Sequence, residues 1–245
     1  MSSFPKLKIP TFEIELPSTQ EKITIRPFLV KEEKILLMAL QGNDPREIVN
    51  AVKQIINNCI VHPQKFDLDK LTNFQIEYIF LQLRMKSVGD KLKLRFLPRE
   101  NTDCQVCKKE RTVQADLNEA KIVYNEEHTN NIKLDEHLGI IMRYPGFNAI
   151  VDLDRSKNSQ KLDDFFKLIW ECIQTIYDEE KQYNTRDISL KDGIAFLEEL
   201  SHDQFSKIED FFKTMPKLRL DVSIDCLECG FHEVYPIIGL ENFFV

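Results

Sequence analysis

Four of the six cysteines in this 245-residue chain stand in two Cys-x-x-Cys pairs, Cys104 with Cys107 and Cys226 with Cys229. Two intervening residues let one tight turn present both sulfurs to the same point, and four thiolates from two such turns enclose a Zn²⁺ ion tetrahedrally. The 118 residues between the pairs must then bring two remote hairpin tips together, as a zinc ribbon with a helical insertion does. Gly230, directly after the second pair, supplies the positive φ such a turn favours. Lys108 holds the matching place in the first knuckle, a departure from that pattern. His232 lies close enough in sequence to replace one sulfur, with a hairpin role as the alternative. Two other readings remain open, unliganded thiols and a redox Cys-x-x-Cys. A redox motif opens a helix after a strand, whereas strand-like residues follow both pairs here, Glu110 to Val113 and Phe231 to Tyr235. Four protein sulfurs leave no open position for water, so the expected site is structural.

The strands that carry the knuckles show in the side-chain period. Leu92, Leu94 and Phe96 alternate with Lys91, Lys93 and Arg95, and Leu218, Leu220, Val222 and Ile224 repeat that alternation before the second pair. Thr112 to Leu117 reads as the returning partner of the first, with weaker strand signals at Lys121 to Tyr124 and Gly139 to Tyr144. Near the N-terminus Phe12, Ile14 and Leu16, the Pro17-Ser18-Thr19 turn, and Ile23 and Ile25 read as a β-hairpin. Helical periodicity covers Lys31 to Gln41, a stretch after the Asp44-Pro45-Arg46-Glu47 start signal, and another after Thr72-x-x-Gln75. It returns over Leu162 to Asp178 and after Ser189 and Ser201. Asp154 to Gln160 reads as an exposed loop. The fold class expected is α+β: a helical body, an N-terminal β-hairpin and a zinc-ribbon-like β-module. The corresponding regions are 1–90, 91–160, 161–216 and 217–245, with 91–117 and 217–245 pairing through Zn²⁺. Each half runs from helices into a K-L-x-L strand and then a knuckle, the pattern of a duplication.

Several function classes fall away. The seven glycines are scattered and no G-x-G occurs, which excludes the phosphate-cradling loops of Rossmann and P-loop enzymes. No G-x-S-x-G or H-E-x-x-H motif is present, so no enzyme is indicated. A formal charge of −7 opposes sequence-independent nucleic-acid binding. A basic region at Lys91, Lys93, Arg95, Arg99, Lys108, Lys109 and Arg111 keeps one competitor alive, a zinc-ribbon nucleic-acid-binding regulator. No run of apolar residues is long enough to span a membrane. MSSFPKLKIP lacks the features of a secretory signal, and the paired cysteines then suit a reducing compartment. Cys59 and Cys172 read as core packing, while Glu126-Glu127-His128 and Asp135-Glu136-His137 read as solvated surface. The apolar end, Ile237 to Val245, reads as a segment that needs cover.

The run Arg26-Pro-Phe-Leu-Val-Lys-Glu-Glu-Lys-Ile-Leu-Leu-Met-Ala-Leu40, continuing into Ile48 to Ile56, resembles the T4-type bacteriophage baseplate hub protein family. The similarity is strongest over residues 10–110 and includes the first knuckle. It implies a role in building the central hub of a contractile tail, as a hub subunit or as an assembly chaperone. The partners implied are other phage baseplate hub or tail proteins and the tape-measure protein. The places implied are the virion tail baseplate, or the host cytoplasm during assembly. No catalytic residues come with the resemblance.

Overall fold

The computed structural model describes residues 8–42, 44–100, 102–146 and 161–239. Six α-helices and four small sheets lie among them, an architecture of mixed α and β. Strands β1 (Phe12–Glu15) and β2 (Lys22–Ile25) pair antiparallel around the turn at Pro17 to Thr19. Ser18 and Gln20 take positive φ there, at 72° and 57°. The pair is not isolated, because β3 (Ile60–His62) adds to β2 and makes a three-stranded sheet.

Helix α1 (Val30–Gly42) opens where Glu32 turns back to accept the Leu29 N–H at 2.9 Å. The same carboxylate is fully buried against Arg26, 3.1 Å away, and Arg26 reaches the Asn58 carbonyl at 2.8 Å. The Arg-Pro-Phe-Leu-Val-Lys-Glu run is therefore a structural corner: it ties the end of β2 and the start of α1 to the end of α2 (Pro45–Cys59). Asp44 caps α2 by accepting from the Arg46 N–H at 2.9 Å, with Pro45 at the first helical position where its missing N–H costs nothing. Helix α3 (Asn73–Ser87) carries the reciprocal cap in which Gln75 accepts the Thr72 N–H at 3.0 Å. Its Ile76, Ile79, Phe80 and Leu83 are buried against Ile23, Ile25, Ile55 and Ile56, forming the first core. Each such side chain contributes about 1.5–3 kcal/mol of burial.

Strands β4 (Lys91–Phe96) and β5 (Arg111–Asp116) form a two-stranded ribbon. Strand β6 (Lys121–Val123) crosses to join a later sheet, and β7 (Asn131–Lys133) pairs with β8 (Gly139–Met142). The helix expected to run from Leu162 to Asp178 is shorter. Helix α4 (Lys161–Cys172) ends at Cys172, and β9 (Ile173–Tyr177) continues the chain as a strand between β8 and β10 (Gln182–Asn184). Ile173, Thr175 and Ile176 are β-branched and Tyr177 is aromatic, types that favour the pleated surface. The open ladder of β8 decides the outcome, since sequence periodicity alone fits either period there. Helices α5 (Leu190–Glu198) and α6 (His202–Thr214) pack with α4 around Ile169, Leu197, Ile208 and Phe211, the second core.

Strand β11 (Lys217–Asp225) sits between β12 (His232–Ile238) and β6. A third core joins Leu81, Leu92, Ala115 and Leu117 to Leu218, Leu220, Val222 and Ile237. It lies between the two ribbons that carry the cysteines. Among the described residues no helix is long and apolar enough to cross a membrane. Asp154 to Gln160 and Leu240 to Val245 lie outside the described residues.

Candidate metal centre

Each cysteine pair lies in the turn between two antiparallel strands. In the first, the Lys108 N–H donates to the Cys104 carbonyl at 3.1 Å and the Arg99 N–H to the Cys107 carbonyl at 2.9 Å. In the second, the Gly230 N–H donates to the Cys226 carbonyl at 2.9 Å, and the Cys226 N–H to the Phe231 carbonyl at 2.8 Å. Lys108 and Gly230 thus close the same five-residue turn. Gly230 does so at φ 69°, whereas Lys108 is not among the residues with positive φ. The first knuckle forms without a glycine because its turn stays in backbone space open to any side chain.

Three contacts hold the ribbons face to face. Phe96 meets Tyr235 edge-on, with ring centres 5.7 Å apart. The Arg99 guanidinium lies 3.6 Å from the Phe231 ring centre, and Arg111 donates to the Asp225 carbonyl at 3.1 Å. Sequence reading missed these pairings, since no local pattern links partners more than a hundred positions apart.

The outcome is one compact group of sulfurs. Cys104 and Cys226 stand 3.8 Å apart, Cys107 and Cys229 3.6 Å apart, and one sulfur from each of the four lies within 4.8 Å of the others. A zinc ion with bonds of about 2.3 Å to four tetrahedral sulfurs needs sulfur separations of about 3.8 Å. A disulfide needs about 2.05 Å, so these spacings fit four separate ligands. The N–H groups of Cys229 and Glu228 hydrogen-bond the Cys226 sulfur and hold that thiol down to about 6. Burial pushes the Cys107 thiol up to about 12, with its sulfur neighbours pushing the same way. A dication is the group that lets four crowded sulfurs be thiolates together.

His232 stands apart from the sulfurs and is exposed, its Nδ1 2.6 Å from Asp225 Oδ1. Cys59 and Cys172 are buried elsewhere, and burial raises their thiols to about 11 and 12. His137 is an exposed partner of Glu179, at 2.8 Å. His128 departs from the solvated-surface expectation. Its ring stacks on Tyr144, with ring centres 5.5 Å apart, and lies tilted 5.0 Å from Phe211. Its Nδ1 meets Thr214 Oγ1 at 2.9 Å. Because Thr214 already donates its hydroxyl proton to the Asp210 carbonyl, at 2.6 Å, it accepts from Nδ1–H. Nε2 is then the bare nitrogen, buried with no hydrogen bond of ordinary geometry among the described residues, and Asn130 is the polar side chain that acts on the ring.

The basic region is partly engaged within the chain. Lys91 pairs with Asp116, Arg95 lies 3.8 Å from Glu110, and Arg99 and Arg111 serve the ribbon contact.

The family described as T4 bacteriophage base plate protein matches residues 9–245. No curated protein and no solved structure matches the chain.

Proposed function

Since the chain belongs to the T4 bacteriophage base plate protein family, we propose that it is a non-enzymatic part of the baseplate hub of a contractile-tailed phage. It acts there through protein contacts, as a hub subunit or as a chaperone of hub and tail assembly. Its partners are other hub or tail proteins, with the tape-measure protein among the candidates. Its place is the tail baseplate of the virion, or the host cytoplasm during assembly.

The family match over residues 9–245 carries this reading. A surface feature supports protein contact as the mode of action. On α1, Val30, Leu37 and Met38 are 80%, 52% and 61% exposed, and Leu37 and Met38 both lie about two turns along from Val30 on one side. A helix of this kind lays an apolar stripe against a partner. The cysteine group holds one structural Zn²⁺ through Cys104, Cys107, Cys226 and Cys229. The ion closes the β-module and leaves no position for a substrate.

Affinity capture of the chain from infected cells, with mass spectrometry of purified particles, tests the assignment. Recovery of hub proteins supports it, and presence or absence in particles separates subunit from chaperone. Leu37→Asp with Met38→Asp should abolish that recovery at unchanged melting temperature. Failure to recover any tail protein, together with salt-sensitive nucleic-acid binding lost in Lys93→Glu/Arg95→Glu, would overturn it.

A further inference from the structure

We propose that the chain is two tandem copies of one structural unit, and that the four-cysteine centre is the joint between them, so that metal loss loosens the joint before either copy melts. The part concerning metal rests on the Zn²⁺ reading above; the duplication stands on separate geometry.

The first copy runs β1, β2, α1, α2, β3, a 3₁₀ turn at Leu68–Lys70, α3, β4, knuckle, β5. The second runs β7, β8, α4, β9, a 3₁₀ turn at Thr185–Asp187, α5 with α6, β11, knuckle, β12. The correspondence reaches single atoms at the helix-to-strand corner. Helix α2 ends at Cys59 and α4 at Cys172, and in each case the next isoleucine begins the strand. Ile60 pairs with Ile25 and Ile173 with Met142, and both ladders have their irregularity at the same step, Thr24/Ile25 and Ile141/Met142. The arginine after each paired residue locks the corner twice. Arg26 donates its backbone N–H to the Cys59 carbonyl at 2.9 Å and its side chain to the Asn58 carbonyl at 2.8 Å. Arg143 donates its backbone N–H to the Cys172 carbonyl at 2.7 Å and its side chain to the Glu171 carbonyl at 2.7 Å.

The spacing then recurs along the chain, with a four-residue break at the corner itself, where Cys172 stands 113 positions after Cys59. Arg143 stands 117 positions after Arg26. At the same 117-residue interval, Asn184 caps its 3₁₀ turn as Asp67 does, and Ser189 with Asp192 starts a helix as Thr72 with Gln75 does. The knuckles are 122 positions apart, and like meets like: Cys104 lies against Cys226 and Cys107 against Cys229. The copies differ where α3 is one helix and α5 with α6 are two, and where β10 has no counterpart, while the place matching α1 falls on residues 147–160, outside the described ones.

Burial divides along the same line. The first core draws on residues 14–83 and the second on residues 132–211, while the third takes Leu81 to Leu117 from one copy and Leu218 to Ile237 from the other. The third core and the sulfurs therefore form the joint. The Thr72 to Gly146 bridge and the Phe74–Tyr144 ring contact also tie the copies together.

Hydrogen exchange read by mass spectrometry on the full chain, as purified and after a strong Zn²⁺ chelator, tests this. Amides of β4, β5, β11 and β12 should exchange at least tenfold faster after chelation, while those of α2, α3, β8, β9 and α6 change less than twofold. Exchange rising together in all regions would overturn the joint. Elemental analysis showing no metal in the purified chain would sink the metal reading alone. The duplication has its own arm: Arg26→Met should speed exchange at 60–62 and Arg143→Met at 173–175, by factors within tenfold of each other. A response at only one corner would refute the equivalence.

Discussion

Helix α5 crosses α4 where Gly193 rests on the Trp170 ring. A β-carbon at residue 193 would lie 2.6 Å from Trp170 Cζ2 and nearer still to Cδ2 and Cε2. Carbon atoms rest at about 3.5–4.0 Å, so Gly193→Ala must drive the helices apart by about 1 Å or tip the ring. The ring has little room to tip, because Trp170 is 6% exposed and belongs to the second core. Two terms oppose each other. Alanine improves on glycine inside a helix by about 1 kcal/mol. Overpacking a well-filled site costs about 1–3 kcal/mol, and lost contact across the helix pair adds to that. The expected net is a loss of about 1–2 kcal/mol. Urea unfolding followed by fluorescence of Trp170, the only tryptophan, should show a midpoint lower by about 0.5 M for a slope of about 2–3 kcal/mol/M. In a Trp170→Leu background the same glycine change should become neutral or stabilising. A raised midpoint for Gly193→Ala alone would refute the close crossing.

Other consequences follow from single groups. Glu32→Ala strips the buried partner from Arg26 and should cost about 3 kcal/mol of unfolding free energy by denaturant titration; an effect under about 1 kcal/mol would contradict the corner. Burial penalises the Glu32 carboxylate, but Arg26, the Leu29 N–H and Lys31 outweigh this and hold its pKa below the ordinary 4.5. Its stabilisation is therefore complete above about pH 4.5 and lost as pH falls through the lower folded value; Glu32→Gln should flatten that acid limb. Desolvation lowers the His128 pKa from the ordinary 6.5, with Asn130 pulling weakly the other way. The unfolded chain then takes the proton first, so melting temperature should drop as pH falls below about 6.5. His128→Phe should remove that component, and an unchanged slope would count against a desolvated, neutral His128.

The elements legible from residues alone are those whose signals are local. The caps at Asp44, Thr72, Ser189 and Ser201 mark helix starts because the capping side chain and its backbone donor are two or three residues apart. The alternation in β4 and β11 marks strands because one face is buried. The cysteine pairs were readable through spacing, and so was their need to converge. What stayed hidden depends on remote partners. Three-residue strands such as β3 and β10 exist only because a longer strand lies beside them. The switch from α4 to β9 at Ile173 is set by the β8 ladder, and His128 is drawn inward by Tyr144 and Phe211. The duplication was faint in sequence, because its strongest marks are backbone carbonyls at Asn58 and Glu171, whose side chains share nothing.

One assay reaches the central claim, that two remote knuckles share a single ion. Elemental analysis of the full-length chain, purified without chelator or added metal, should find about one zinc per molecule, and Cys104→Ser and Cys226→Ser should each lose it. Zinc retained in full by either single variant, or a metal-free wild-type chain whose melting temperature ignores added zinc, would contradict the account.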